Sequence, residues 1–389
     1  MPSTPKRILP ILVLAQFAGT SLWFAVNAVM PDLQLQMGWP ASAVGRLTSA
    51  LQLGFIVGTL VFALLAIADR FSSRRVFLLC ALAGALCTLG ALMRIESFTE
   101  LLLWRAATGF FLAGIYPVGM KIASQWFPEG LGVALGWLVG ALVLGSASAH
   151  GIRALAVELH WSTVMISVAV LAAAGGLILF MTIPEPPTSS ATAKKLEWHA
   201  LATIWTDWRV RASVLGYFGH MWELYTLWVL VPLILATQLN GQALSYAAFG
   251  ALGIGALGCI GGGWLAKRWG SARIATLQLS MSGICCLLAP WLMSAPLFWF
   301  LLWLAVWGLT AAGDSPQFST LTASNAPKHA VGSVLTLTNC IGFALSIVSI
   351  ELFTSLAQQY SLDSLLPWLG LGPFLGIIAM RPLLHKRLT

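Results

Sequence analysis

The chain has 389 residues, of which 58% are hydrophobic and only 9% charged, with a formal net charge of +8. Soluble globular proteins carry about a quarter charged residues, so this composition excludes a water-soluble enzyme or binding domain and calls for a lipid environment. A nucleic-acid partner is also excluded, because such a footprint gathers cations on one water-exposed face, whereas Lys and Arg here lie in short clusters between apolar runs.

A hydrocarbon core of about 30 Å takes roughly 20 apolar residues in a helix. On that measure the sequence predicts twelve membrane spans, at residues 8–30, 44–66, 76–93, 99–123, 131–153, 162–183, 212–235, 245–266, 274–293, 297–320, 331–357 and 365–384. Lys6 and Arg7 ahead of the first run imitate a signal peptide, but the run continues to Met30, too long for a signal core and without a convincing cleavage site. It is therefore read as the first span. Within it Gln16, Thr20, Trp23 and Asn27 recur at helical spacing and form one polar stripe.

In the fourth span Arg105, Gly109, Leu112 and Tyr116 share a face. An ionisable group at mid-bilayer costs roughly 2.5 kcal/mol or more unless it meets a partner or water. Arg105 therefore either faces a wet interior or snorkels to the outer interface. Lys121, sixteen residues further on, is either redirected by the kink at Pro117 or snorkels to the cytoplasmic interface. In the fifth span Gly132, Gly136 and Gly140 permit close helix contact.

The longest polar interval, 184–211, opens with Pro184, Glu185, Pro186 and Pro187 and reads as a linker. In the seventh span His220 and Glu223 stand at i, i+3, close enough to share a proton. They read as a proton carrier or as a structural pair that neutralises itself. The tenth span carries Trp303, Trp307, Thr310 and Asp314 on one face, followed by Gln317. Asp314 precedes Pro316, where the helix must lose a backbone hydrogen bond. Glu351 near the outer end of the eleventh span is read as interfacial, and Trp291, Trp299 and Trp368 near span ends as interface anchors. Trp222 and Trp228 are the other tryptophans tested against substrate contact. The six cysteines lack the spacing of a zinc site or a disulfide framework and are read as small packing residues.

Twelve spans return both termini to one side. Placing them in the cytoplasm puts nearly every loop cation inside and leaves only Arg46, Arg94 and Arg153 outside, in keeping with positive-inside orientation. The expected location is thus the cell's inner membrane with cytoplasmic termini.

Two local patterns recur at one offset. Leu65 to Arg75, containing Asp69, Arg70, Arg74 and Arg75, is echoed 198 residues later by Gly263 to Arg273, containing Lys267, Arg268 and Arg273. Gly114-Ile-Tyr-Pro117 is echoed 199 residues later by Gly313-Asp-Ser-Pro316. A duplicated half follows, with a first bundle at 1–183, a cytoplasmic linker at 184–211 and a second bundle at 212–389. The fold class is all-α, with twelve transmembrane helices in two pseudo-symmetric six-helix bundles.

A loop of the form Gly-x-Leu-x-Asp-Arg-x-Gly-Arg-Arg between spans two and three, echoed between spans eight and nine, resembles the signature of the major facilitator superfamily. The chain departs from it at Leu65, Ser72 and Lys267. The resemblance implies alternating access, with spans one, four, seven and ten lining a central cavity. It also implies a cytoplasmic latch of Asp69, Arg70, Arg74, Arg75, Lys267, Arg268 and Arg273, pairing across the seam of the halves. A weaker similarity to nitrate, nitrite or cyanate-type permeases hints at small anions, although the arginines those nitrate porters place within spans two and eight are absent here. Ala141 stands after Gly140, where the drug-proton antiporters of the family have proline.

The expected function is proton-coupled symport of a small anionic solute. Arg105, Tyr116, Gln16, Trp23, Asn27, Trp307 and Gln317 would bind it, and His220, Glu223 and Asp314 would handle protons. No nucleotide-binding loop is present, so ATP is not expected as the energy source, and no cofactor, metal or enzymatic activity is expected. The partners are the solute, protons and the lipid bilayer, and the protein is expected to be a monomer. The alternatives are a proton-driven exporter of organic cations or drugs, an intramembrane enzyme built on His220 and Glu223, and a non-transporting receptor.

Overall fold

The computed structural model describes residues 6–127, 129–156, 158–185 and 196–385, and every regular element among them is an α-helix. Eleven helical segments are long and apolar enough to cross a membrane: Ala43–Leu64, Ser73–Met93, Phe98–Trp126, Leu131–Leu155, Ser162–Thr182, Trp208–Leu235, Gly241–Trp269, Ser271–Leu292, Leu297–Asn325, Val331–Leu356 and Leu362–Leu384. These are the second to twelfth spans.

The first span corrects the prediction. Instead of one helix over 8–30 there are helices at Ile8–Thr20, Ala25–Ala28 and Met30–Met37, with a break at 21–24. The residues there explain it in part. Thr20 Oγ1 donates to the carbonyl of Gln16 at 2.8 Å and Ser21 Oγ to that of Ala18 at 2.7 Å. Such hydroxyls compete for the helix's own acceptors and bend or end it. Trp23 N–H then closes a tighter turn on Thr20 O at 3.0 Å, and Phe24 leaves helical geometry at φ −109°, ψ 21°. The stripe predicted from Gln16 through Asn27 is interrupted at Thr20.

The seventh span begins at Trp208, where the Asp207 side chain accepts from Arg209 N–H at 2.8 Å as an N-cap. A short helix, Ala200–Thr206, precedes it within the interval predicted as linker. Residues 186–195 of that interval lie outside the described residues. Large apolar side chains such as Leu79, Leu86, Leu257 and Phe298 are more than 60% exposed, the outward face that a lipid-solvated bundle requires. Trp291, Trp299 and Trp368 are also exposed at span ends, and all six cysteines are buried and free.

The chain forms two compact units, Met1–Lys195 with Gly241–Phe249, and Leu196–Asn240 with Gly250–Thr389. The boundary runs through the first half of the eighth span. Gln242 Nε2 donates to Ala154 O at 3.0 Å, and the Phe249 ring packs at Gly151.

Each unit contains the same close helix crossing. In the first, a Cβ on Gly109 would fall 1.9 Å from Leu51 O, and one on Gly58 would fall 2.4 Å from Phe110 O. In the second, a Cβ on Gly308 would fall 1.9 Å from Ala251 O, and one on Gly258 would fall 1.9 Å from Leu309 O. Main chain meets main chain there, which only glycine allows. All four positions of one crossing recur about 200 residues later in the other, so the repeat read from two local patterns extends into the packing of spans two and four, and eight and ten.

Candidate functional site

Both fourth-position spans are broken at mid-length. The fourth divides into Phe98–Leu112 and Tyr116–Trp126 with Pro117 in the first turn after the break. The tenth divides into Leu297–Gly313 and Ser315–Asn325 with Pro316 in the same place. Proline fits the first turn of a helix because its missing N–H needs no partner there.

In the first unit Arg105 is 1% exposed, so it does not snorkel. Its Nη1 donates to Leu22 O at 3.1 Å and its Nη2 to Trp23 O at 2.5 Å. These carbonyls belong to the break in the first span, so a buried cation and interrupted main chain stabilise one another. Arg105 Nε has no hydrogen-bond partner, and no ion pair involves Arg105 among the described residues.

The other predicted residues of this unit gather less tightly. Gln16 is fully buried with neither amide atom hydrogen-bonded. Its Oε1 occupies space left by Gly119, where a Cβ would fall at 2.1 Å. Asn27 Nδ2 donates to Thr48 Oγ1 at 2.8 Å while its Oδ1 has no hydrogen-bond partner. The Trp23 ring lies 5.1 Å from that of Phe55, and Tyr116 is half-buried at the head of its helix. Among the buried polar residues not singled out from the sequence are Gln52 in the second span and His150 in the fifth, whose Nε2 has no hydrogen-bond partner among the described residues. A lone histidine in an apolar span was the available signal for the latter.

The second unit corrects the pairing of His220 with Glu223. His220 Nδ1 lies 2.7 Å from Asp314 Oδ1, with both side chains essentially inaccessible, and His220 Nε2 lies 2.6 Å from Ser315 Oγ. Glu223 turns to other helices. Trp307 Nε1 donates to Oε1 at 2.6 Å, Ser282 Oγ to Oε2 at 2.9 Å and Cys286 Sγ to Oε1 at 3.4 Å. The Trp303 ring lies tilted against that of Trp307, centroids 5.1 Å apart, and donates to Cys285 O at 2.9 Å. Asp314 stands in the break itself, its carbonyl accepting from Gln317 N–H at 2.9 Å. Gln317 is buried, and Thr310 returns its hydroxyl to Val306 O at 2.8 Å. Trp228 is buried and Trp222 half-buried. Ser282 and Cys286 were invisible to sequence reasoning because their partner lies about 60 residues away.

The loop charges also depart from expectation. Asp69 pairs with Lys121 of its own unit, and Lys121 also donates to Ala68 O, which resolves the orientation of Lys121. Arg74 closes the end of the sixth span, donating to Ile183 O at 2.6 Å, Phe180 O at 3.2 Å and Glu185 Oε1 at 3.1 Å, and Ser72 also donates to Glu185. Arg70, Arg75, Lys267, Arg268 and Arg273 are exposed. At the opposite end Arg153 grips Asp32 through two hydrogen bonds, Nη2 to Oδ1 at 2.8 Å and Nε to Oδ2 at 3.0 Å. Among the described residues no cluster of three His, Cys, Asp or Glu side chains is placed to hold a metal ion.

Duplicated six-helix bundles, with spans broken at mid-length and charges buried beside the breaks, define the architecture of a secondary transporter. The chain belongs to the Major Facilitator Superfamily, whose family profile matches residues 12–350. It is 32% identical over 136 residues to a Haemophilus influenzae protein provisionally described as a metabolite transport protein, a match spanning 32% of this chain and 30% of that one. The fold resembles the crystal structure of the human organic anion transporter MFSD10, with a TM-score of 0.76 at 15% identity over 97% of this chain and 99% of the other. It also resembles a bacterial homologue of the human lysosomal transporter Spinster, solved inward-facing and unoccupied, with a TM-score of 0.71 at 14% identity over 98% of each chain. The chain is an integral membrane protein of a transporter family that handles small molecules.

Proposed function

We propose that this protein is a proton-coupled secondary transporter of a small anionic solute that works by alternating access, with both termini in the cytoplasm. One observation carries the anion. The Arg105 guanidinium is buried against neutral carbonyls alone, with no carboxylate partner among the described residues and one N–H still open. A cation left uncompensated in low dielectric favours a ligand that supplies the missing negative charge. Gln16 and Asn27, each with an unsatisfied buried polar atom, add hydrogen-bonding capacity in the same unit. The buried carboxyls of the second unit supply the proton chemistry. The structurally similar human protein is an organic anion transporter, a solute class that Arg105 suits.

Proteoliposomes test this directly. Radiolabelled small carboxylates and inorganic anions should enter faster when the outside is acidified, with alkalinisation of the medium, and Arg105→Ala should abolish uptake. Arg105→Lys controls for folding, since it keeps the charge and should retain measurable uptake.

A second reading, an exporter of organic cations, is favoured by Glu223 lying against the tilted pair Trp303 and Trp307. Cation efflux that survives Arg105→Ala would select it and remove the anion reading.

A further inference from the structure

The two buried acids of the second unit are held in opposite ways. Glu223 accepts on both oxygens, from Trp307, Ser282 and Cys286. An indole N–H only donates. The three donors come from the ninth and tenth spans and hold the carboxylate in one orientation, and Ser282 also reaches Leu279 O at 3.1 Å. Asp314 has His220 as its one ion-pairing side chain among the described residues, and the main-chain N–H groups of Asp314 and Ser315 lie beside its carboxylate.

His220 is poised differently again. Its two ring nitrogens face a carboxylate and a hydroxyl, at 2.7 and 2.6 Å. A hydroxyl both donates and accepts. With a neutral imidazole protonated at Nδ1, that nitrogen faces Asp314 Oδ1 at 2.7 Å and Ser315 O–H donates to Nε2, and the pair carries one negative charge. Adding one proton at Nε2 reverses only the second bond, so that Nε2–H donates to Ser315 Oγ, and the pair becomes neutral overall. No heavy atom has to move. The rings of Tyr217 and Phe318, 5.9 and 5.7 Å from the imidazole, flank it. The titratable groups on the packed spans are Arg209, Arg211, Tyr217, Glu223 and Tyr225 on the seventh, Tyr246, Cys259, Lys267 and Arg268 on the eighth, Arg273, Cys285 and Cys286 on the ninth, Cys340 and Glu351 on the eleventh, and Asp363 and Arg381 on the twelfth.

We propose that Asp314 and His220 together form the proton-exchanging site of this transporter, with Ser315 as the relay that lets the pair gain or lose one proton in place. Glu223 keeps a single protonation state and acts as a positioning residue for Trp307 and Ser282. This assignment rests on the proton-coupled reading above and divides its work between the two acids.

The test needs no identified solute. Infrared difference spectra of the full-length protein in lipid nanodiscs are recorded between about pH 5 and about pH 8, the range in which an imidazole changes charge. The wild-type spectrum should contain a histidine-ring change and a carboxylate shift with one shared midpoint. Both should be lost in Asp314→Asn and in His220→Gln and retained in Glu223→Gln. Loss of the carboxylate shift in Glu223→Gln, or its persistence in Asp314→Asn, overturns the assignment. Should the Asp314 or His220 variants fail to fold, Ser315→Ala removes only the relay and should displace the shared midpoint, and an unmoved midpoint overturns the relay. Absence of proton-driven flux in proteoliposomes alongside an intact wild-type spectrum would leave the titrating pair standing and remove the coupling reading instead.

Discussion

The two units are built on one plan and charged in opposite senses. The first breaks its opening span at 21–24 and fills the break with the guanidinium of Arg105. The second keeps its opening span, Trp208–Leu235, as one helix and buries His220 and Glu223 along it, with Asp314 facing them from the tenth span. The shared crossings at Gly109 and Gly308 show that duplication preserved the backbone framework. Divergence lies in the backbone of the opening span and in the groups buried beside it, a cation clamped to main chain in one unit and acids tied to side chains in the other.

Four sets of substitutions break or sharpen this comparison. The largest effect falls on the shared framework. Gly109→Ala and Gly308→Ala each force a methyl group against a carbonyl oxygen, and each should cost about 3 kcal/mol or more. A thermal-unfolding series should show similar losses for both, and tolerance at only one position would mean that the crossings are not equivalent. Next comes the clamp. Arg105→Lys keeps the charge but gives up one of two carbonyl contacts, a loss of about 2 kcal/mol. Hydrogen exchange should accelerate at residues 21–24 and leave the seventh span unchanged, since that helix has no clamp to lose.

In the second unit, Trp307→Phe removes the closest donor to Glu223 and should cost about 1.5 kcal/mol in melting experiments, with Glu223→Gln rescuing part of the loss. The smallest effect has the opposite sign. Ala66 holds φ +48°, a left-handed conformation that costs a side-chain-bearing residue about 1 kcal/mol. Ala66→Gly should therefore raise the melting temperature slightly while the Asp69–Lys121 pair beside it persists.

Much of this architecture was legible in the sequence because its causes are local or repeated. Eleven spans follow from apolar length, and the duplication from two patterns at one offset. The break at Asp314 follows from Pro316, and the one after Leu112 from Pro117. The break in the first span was not legible. It contains neither glycine nor proline, and the hydroxyls of Thr20 and Ser21 act only together with a cation from another helix. The partners of the acids failed for a related reason. Spacing put His220 beside Glu223, but sequence distance cannot reveal that Asp314, Trp307 and Ser282 arrive from two other spans and take those side chains for themselves. The Asp69–Lys121 pair was hidden for the same reason, since nothing in the order of residues says that Lys121 reaches back to Asp69.

Arg105 anchors itself to peptide oxygens, and that choice has a consequence for how this protein tolerates mutation. Every amino acid at positions 22 and 23 offers the same oxygen, so replacing Leu22 or Trp23 alters what packs around the guanidinium without removing its acceptors. In a saturation scan Arg105 should tolerate at most lysine, while its two acceptor positions should be governed by size alone.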